Sequence, residues 1–147
     1  MTSSRTLAID YGSRRIGLAL SDSAATLATP LKVLNCNSES IPQIVKIISA
    51  ESVDRIIIGF PLNMDGTRGP AAQKTLAFAE ALKSQTPTPI IFVDERLSTF
   101  EAEQTLTHRR QAGDKLTRKS KKQRLDAVAA AQFLQDFLDG KVSQIEI

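Results

Sequence analysis

The sequence predicts a single α/β domain in which helices flank a mixed sheet of five strands. Two apolar runs near the N-terminus, at 5–11 and 15–20, are separated by a short turn, a spacing typical of an antiparallel hairpin. Two later runs, RIIIGFP at 55–61 and PIIFVD at 89–94, are continuous and rich in β-branched residues. Such runs are typical of parallel strands that are covered on both faces.

The remaining elements alternate between strand and helix. A third strand is predicted at 30–35, and apolar residues then recur at helical spacing. Helices are predicted after Ser38 or Ser40, after Gly69-Pro70, at the capping box Ser98-Thr99-Phe100-Glu101, and from about Lys121 to Leu138. The order β-β-β-α-β-α-β-α-α implies antiparallel strands followed by βαβα units. No repeat, linker or low-complexity tract divides the chain, so we expect one domain over 1–147.

The composition is that of an ordinary globular protein, with 41% hydrophobic and 24% charged residues. Cys36 is the single cysteine, which excludes an internal disulfide and favours a reducing compartment. The N-terminus has no apolar core long enough for a signal peptide, and no run approaches the roughly 20 apolar residues of a membrane span. We therefore expect a cytoplasmic protein without a membrane partner.

Positive charge is concentrated in one segment. The net charge is +3, and eight of the 19 Lys and Arg residues lie between His108 and Arg124, where the only acid is Asp114. The rest of the chain is therefore net negative. A basic segment on an acidic body is typical of a surface that binds the phosphate backbone of nucleic acid, although a solvated loop has the same composition. Because the segment contains Gly113 and lacks apolar periodicity, at least part of it is expected to be a flexible loop.

Acidic residues follow two of the predicted strands at the points where those strands end. Asp10 follows the apolar residues of the first strand, and Asp94 and Glu95 end the fifth. Ligands of open α/β sheets lie outside the carboxyl ends of the parallel strands, so these acids share one edge if the first, fourth and fifth strands are parallel neighbours. Gly17 is expected nearly opposite Asp10 in the hairpin, which leaves space beside the carboxylate for an ion or a phosphate.

A third acid, Asp126, lies near the start of the last helix. It precedes Ala129 and Ala130 of the predicted apolar stripe by three and four residues, so it continues the core-facing side of the helix. An ionised carboxylate facing a core costs several kcal/mol unless a cation or an arginine compensates it. Three such acids without a His or Cys cluster suggest oxygen-ligated Mg²⁺ or Mn²⁺. Two ions about 4 Å apart could activate water and stabilise the leaving oxygen in phosphoryl transfer.

Each acid also has a purely structural interpretation. Asp10 could accept backbone hydrogen bonds in the following turn, and Asp94 or Glu95 could pair with Arg96. Asp126 could be a partly exposed acid that is stabilised by the helix dipole. The coincidence of three acids at one sheet edge favours the metal site over these alternatives.

The segment GFPLNMDGTRG, at 59–69, leads from a strand end into a helix N-terminus, a position that favours anions. Arg68 could add a direct phosphate contact. The segment is not a Walker motif, because no Gly-Lys-Ser/Thr follows. An ordinary turn before a helix is the alternative.

Four stretches of the chain, in order, resemble one family. They are LAIDYGSRRIGLALSD, IIIGFPLNMDGTRGP, VDERLST with a following EAE, and KKQRLDAVAAAQFLQDFL. In sequence, order and length the chain resembles the YqgF family, the RuvX-like Holliday junction resolvases that are also called pre-16S rRNA nucleases and have an RNase H-like fold. The resemblance covers essentially the whole chain.

The resemblance implies a five-stranded sheet of order 3-2-1-4-5 and a specific site. The catalytic and metal-binding acids would be Asp10, Glu95 and Asp126, which selects Glu95 over Asp94, with one or two Mg²⁺ or Mn²⁺ ions as cofactor. The implied activity is cleavage of a phosphodiester in maturation of the 5′ end of pre-16S rRNA. RNase H-like resolvases often carry a fourth acid, but Asp22 lies too far past the second strand to supply it. The residues expected to bind nucleic acid are Arg14, Arg68, Arg96, Arg109, Arg110, Lys115, Arg118, Lys119, Lys121 and Lys122.

Three other functions compete with processing of pre-rRNA. The same chemistry on a four-way DNA junction needs two active sites and so predicts a symmetric dimer, which leaves both a monomer and a homodimer open. A non-catalytic nucleic-acid-binding protein would keep the basic segment but would not need three inward acids. Actin-like kinases share an Asp-x-Gly hairpin but close two domains around a nucleotide, and 147 residues hold only one.

Overall fold

The computed structural model describes residues 5–63, 65–94 and 118–145, and for 118–126 it describes the helix but not the side chains. Strands and helices alternate after an initial group of three strands. The elements are β1 (Arg5–Tyr11), β2 (Arg15–Ser21), β3 (Ala28–Asn35), α1 (Ser40–Ala50), β4 (Val53–Phe60), α2 (Pro70–Lys83), β5 (Ile90–Asp94), α3 (Arg118–Leu138) and β6 (Gln144–Ile145).

All strands belong to one mixed sheet of order β3-β2-β1-β4-β5-β6. β1 pairs antiparallel with β2 and parallel with β4, and β5 continues the parallel part. The predicted order 3-2-1-4-5 is confirmed, but the predicted count of five strands is one too low. The additional strand β6 has only two residues, which pair with Phe92 and Val93. A strand that short carries no periodicity that a sequence pattern could reveal.

The two faces of the sheet are covered by different helices. Residues Leu7 and Ile9 of β1 belong to a core that includes Ile44 of α1 and Leu82 of α2. The alternate β1 residue Ala8 belongs to a second core with α3, because successive strand residues point to opposite faces. We call these sides the α1–α2 face and the α3 face. On the α3 face the fully or almost fully buried residues are Ala19, Ile57, Val93, Ala130, Phe133 and Leu134.

Helix α3 is fixed to the sheet by contacts near its C-terminal end. The side chain of Gln135 accepts a hydrogen bond from the backbone N–H of Ala28 at 2.9 Å and donates to the carbonyl of Thr26 at 3.0 Å. Arg55 donates to the hydroxyl of Thr6 and lies 5.0 Å from the ring centre of Phe137. Burial of each large apolar residue of α3 adds about 1.5–3 kcal/mol. These contacts place the end of α3 beside the start of β1, so the helix runs back towards the opposite edge.

Several predicted helix details differ from the structure. Ser40 begins α1, but its hydroxyl donates to the carbonyl of Asn35 at 2.7 Å and so holds the preceding turn, and the N-cap residue Glu39 makes no side-chain cap bond. In α2, which begins at Pro70 as predicted, the buried residues are Ala72, Thr75, Phe78, Ala79 and Leu82, while Leu76 is only partly buried.

Helix α3 begins at Arg118, about one turn before the predicted start near Lys121, so the basic residues from 118 onwards are helical. Ala127 and Leu134 are buried on this helix, whereas the predicted stripe residue Ala129 is only partly so. The predicted helix at Ser98 and the rest of the basic segment lie outside the described residues. Among the residues that are described, no helix is long and apolar enough to cross a membrane.

The turn between β1 and β2 requires glycine at position 12. The N–H of Gly12 donates to the carbonyl of Arg15 at 2.9 Å. A Cβ added to Gly12 would lie 2.7 Å from that same carbonyl oxygen, which belongs to the backbone and cannot rotate away. The tight approach therefore holds the hairpin in the register that pairs Asp10 with Gly17.

We expect Gly12→Ala to lower the free energy of unfolding by about 1–3 kcal/mol, because the added methyl group forces the turn open. Urea denaturation measures this change. Ser13→Ala, at the next and exposed position of the same turn, serves as the control and should differ little from wild type. Equal stability of Gly12→Ala and the control would contradict the tight approach.

Candidate active site

Asp10 lies between two glycines at the carboxyl end of β1. It pairs with Gly17 on β2, as predicted. On the other side, the parallel register ends at Ile9 opposite Ile58, so the next position on β4 is Gly59. Asp10 is partly buried, while both glycines are buried. No side chain of β2 or β4 therefore stands beside this carboxylate at its own level of the sheet.

Strand alternation places Asp10 on the α3 face, since it is two residues after Ala8. Asp94 lies at the same edge of the sheet, opposite Phe60 in the parallel pairing. However, Asp94 is two residues after Phe92, which packs on the α1–α2 face. The two acids thus share an edge but belong to opposite faces. Glu95, the alternative acid, lies outside the described residues.

Helix α3 carries Asp126 about one turn before the fully buried Ala130. Gln135 bonds to Ala28, which pairs with Ser21, and the hydroxyl of Ser21 accepts from the N–H of Thr6 at 2.8 Å. From this level, the four residues from Thr6 to Asp10 rise by about 13 Å along β1. The nine residues from Gln135 back to Asp126 rise by about 13.5 Å along the helix. The stretch of α3 from Gln135 back to Asp126 is therefore about as long as the stretch of β1 from Thr6 to Asp10.

The loop between β4 and α2 follows the same edge of the sheet. Leu62 and Arg68 form an antiparallel bridge that closes it. Inside it, the N–H of Asn63 donates to the carbonyl of Thr67 at 2.9 Å, and Gly66, with φ of 87°, donates to the carbonyl of Asn63 at 2.8 Å. The guanidinium of Arg68 lies 5.7 Å from the ring centre of the buried Phe60. The predicted phosphate-binding arginine is thus carried by a folded loop.

Comparison with known proteins identifies the family of this chain. Residues 4–140 match the family model described as RuvX, Holliday junction resolvase. The chain belongs to the RuvX family. It is 41% identical over 139 residues to a Chloroflexus aurantiacus protein named "Putative pre-16S rRNA nuclease". The aligned region covers 93% of this chain and 88% of that protein. A relative of the same name from Rhodobacter capsulatus is 39% identical over 133 residues, with coverage of 89% and 80%.

The fold of this RuvX-family chain is also found in Thermus thermophilus RuvC. The structure of RuvC in complex with a Holliday junction superposes with a TM-score of 0.57 at 12% identity, covering 97% of this chain and 99% of that one. A second structure of RuvC from the same organism gives 0.56 at 14% identity. At this level of identity the likeness establishes the RNase H-like fold.

Two arginines expected to bind nucleic acid lie on either side of Asp10. Arg14 is exposed in the β1–β2 turn, where its carbonyl accepts from the N–H of Cys36 at 2.8 Å. Arg68 is exposed in the loop after β4. Among the described residues, the one salt bridge joins Arg5 to Glu51, so neither arginine is neutralised by a carboxylate there.

The other predicted basic residues are less fully described. Arg96, Arg109, Arg110 and Lys115 lie outside the described part of the chain, and Arg118, Lys119, Lys121 and Lys122 lie on the first turns of α3. Arg118 is eight residues before Asp126, or about 12 Å further along the helix axis.

The described residues contain no group of three or more His, Cys, Asp and Glu side chains that could hold a metal ion. Of the three predicted ligands, only the side chain of Asp10 belongs to that part of the chain. Its carboxylate has the oxygen donors that Mg²⁺ and Mn²⁺ prefer, and it lies between residues that have no side chain. The donor chemistry at Asp10 fits a hard divalent cation.

The contacts that hold Tyr11, the residue directly after Asp10, were not predicted from the sequence. Tyr11 stacks on Phe78 of α2, with ring centres 4.5 Å apart, and the thiol of Cys36 lies 3.7 Å from its hydroxyl. Burial, followed by the contact with Cys36, raises the pKa of the Tyr11 hydroxyl, which stays neutral near pH 7. The role of Gly59 beside Asp10 was also missed, because only the sheet register brings the two together.

Asp22 does not supply a fourth acid. It lies at the opposite edge of the sheet, where it closes the β2–β3 turn. Its carboxylate accepts from the hydroxyl and N–H of Thr26, at 2.7 and 2.8 Å, and from the N–H of Leu27 at 3.2 Å. The hydrogen bond from the Thr26 hydroxyl, followed by those from the two backbone N–H groups, lowers the pKa of Asp22.

We expect Asp22→Asn to lower the melting temperature near pH 7, and the difference from wild type to shrink as the pH falls. A carboxyl with a lowered folded-state pKa stabilises the fold above its unfolded value, about 3.9, and loses that contribution as the pH falls through the folded-state value. Thermal denaturation between pH 7 and pH 2 measures it. Asp54→Asn, at an exposed position, is the control, and a pH-independent difference for Asp22→Asn would contradict the assignment.

Proposed function

We propose that this chain is a divalent-metal-dependent endonuclease that hydrolyses phosphodiester bonds in structured nucleic acid, with the 5′ end of pre-16S rRNA as the favoured substrate. The observation that carries the proposal is the position of Asp10 on the α3 face, between Gly17 and Gly59. Membership of the RuvX family and the names of the relatives support the same activity.

Asp10, Glu95 and Asp126 would hold one or two Mg²⁺ or Mn²⁺ ions. When bound, such ions lower the pKa of water and neutralise charge on the leaving oxygen. Strand alternation counts against Asp94, because Asp94 is two residues after Phe92 of the α1–α2 face, whereas Asp10 lies on the α3 face. Glu95 is the acid that the resemblance to the family implies. The two flanking glycines leave room for a phosphate to approach the Asp10 carboxylate. Because Asp10 is partly buried, bulk water has limited access to its carboxylate and competes less with a bound ion or phosphate.

The basic residues would hold the substrate backbone across the same edge. Strand β5 ends at Asp94, at the carboxyl edge of the parallel strands, and helix α3 begins at Arg118. In the sequence, Arg96 and the residues from Arg109 to Lys122 lie between the end of β5 and the first turns of α3. Together with Arg14 and Arg68 they would neutralise several phosphates, which is the largest sequence-independent term in nucleic-acid binding.

The substrate could also be a four-way DNA junction, which the description of the family model favours. A junction resolvase cuts two strands and needs paired sites, so this alternative requires a homodimer, whereas rRNA processing is compatible with a monomer. An rRNA substrate would place the reaction in the cytoplasm. A protein that binds nucleic acid without cleaving it is the third possibility.

Asp10→Asn should reduce cleavage at least about 100-fold, because loss of even an outer-shell partner of a metal costs 10–100-fold. Binding of the substrate should be nearly unchanged. Purified protein is offered pre-16S rRNA and a four-way junction in parallel, with Mg²⁺ or Mn²⁺, and both cleavage and affinity are measured. A chelator should abolish cleavage of the preferred substrate.

Asp22→Asn is the matched control, since it changes the same residue type at the opposite edge of the sheet and should cleave like wild type. If wild type and Asp10→Asn bind equally and neither substrate is cut, the nuclease proposal is wrong and a binding protein remains. Preferential cutting of the junction by a dimer would favour the resolvase alternative.

Neutralising the start of α3 should weaken the salt dependence of binding. The triple variant Lys119→Gln, Lys121→Gln, Lys122→Gln keeps good helix-forming residues. The slope of log K against log salt is negative, and it should become less steep by about 0.7 to 0.9 for each phosphate that the variant no longer neutralises. The matched control neutralises the exposed residues Lys32, Lys46 and Lys83. Equal slopes for the two triple variants would remove the start of α3 from the binding surface.

A further inference from the structure

We propose that Thr67 is a positioning residue that holds Arg68 ready to bind a backbone phosphate next to, but distinct from, the phosphate that is cleaved. This inference rests on the proposed function and adds to it a path for the substrate. Nucleic acid bound in this way crosses the carboxyl edge of the sheet, from Asp10 on the α3 face to Arg68 on the α1–α2 face.

The side chain of Thr67 is the centre of a hydrogen-bond network in an exposed loop. Its hydroxyl accepts from the side-chain amide of Asn63 at 2.8 Å and donates to the carboxylate of Asp65 at 2.6 Å. The backbone N–H of Thr67 donates to the same carboxylate oxygen at 3.0 Å. One hydroxyl thus ties both sides of the loop together, directly before Arg68. All three side chains are exposed, so burial does not explain the network.

Arg68 is held on the side of the sheet opposite to Asp10. Its guanidinium lies over the ring of Phe60, which is two residues after the α1–α2-face residue Ile58. The ring of Phe60 in turn contacts Phe92, which packs on that face, with centres 5.4 Å apart. Asp10 lies on the opposite side of the sheet, the α3 face. A phosphate that is held by Arg68 in this position is therefore not the phosphate beside the Asp10 carboxylate.

A loop that is already folded binds with a smaller loss of conformational entropy. Ordering a flexible residue costs conformational entropy, and because the hydrogen bonds of Thr67 already order the loop in the folded protein, this loss does not recur on binding. The stacking on Phe60 further restricts the rotamers of Arg68. Its planar guanidinium can then form two parallel hydrogen bonds to a phosphate. Removing the Thr67 hydroxyl should weaken binding only through Arg68.

The test compares Thr67→Val, Thr67→Ser, Arg68→Ala and the double variant Thr67→Val/Arg68→Ala in the full chain. The probe is a fluorescently labelled RNA that contains the 5′ end of pre-16S rRNA. We expect Arg68→Ala to raise KM and Kd about tenfold, a change of 1.4 kcal/mol, with kcat nearly unchanged. Thr67→Val should raise both by a smaller factor, and Thr67→Ser, which keeps the hydroxyl, should restore wild-type values. The double variant should match Arg68→Ala.

Melting temperatures show whether a variant fails for structural reasons. Asn63→Ala removes the donor to the Thr67 hydroxyl, so it should raise KM and Kd in the same way as Thr67→Val. Three results would each overturn the role of Thr67. The first is that the losses add in the double variant, and the second is that Thr67→Ser binds as weakly as Thr67→Val. The third is that Thr67→Val lowers kcat without a change in KM. Wild-type cleavage together with wild-type binding by Arg68→Ala would overturn this inference and leave the nuclease intact. Absence of cleavage by wild type would instead count against the proposed function.

Discussion

The pairing of β1 with β2 and β4 is the constraint on which the rest of the site depends. This register puts Gly17 and Gly59 on either side of Asp10, so the residues that flank this carboxylate on the two neighbouring strands have no side chain. A shift of one residue would turn Asp10 to the α1–α2 face and put an apolar residue in its place. The tight Gly12 turn and the buried residues of both faces oppose such a shift.

Helix α3 covers the face of the sheet on which Asp10 lies. Its contacts through Gln135 and Phe137 lie at the far edge, where they fix the C-terminal part of the helix against the sheet. The two edges at which the strands begin and end therefore differ in the residues that they carry. One edge, with Asp22, Gln135 and Arg55, is closed by hydrogen bonds, and the other carries acidic and basic residues.

Much of the fold could be predicted because its signals are local. The Gly12 hairpin, the β-branched runs and the Gly69-Pro70 helix start each depend on a few consecutive residues, and the strand order and the Asp10–Gly17 pair are confirmed. The prediction was wrong where tertiary contacts decide. Strand β6 forms only because β5 offers an edge, and Ser40 bonds to the preceding strand end instead of capping its helix.

The sequence by itself determined the family and the acid at the end of β1, because these depend on residue types and on neighbours along the chain, and the order of the strands followed from the resemblance to the family. Only the tertiary structure decided which acids share a face. Asp94 and Asp10 lie at one edge but have opposite parity, and the parity follows from a register set between strands distant in sequence. The same holds for Gly59 beside Asp10 and for Arg68 over Phe60, since packing across the sheet brings these residues together.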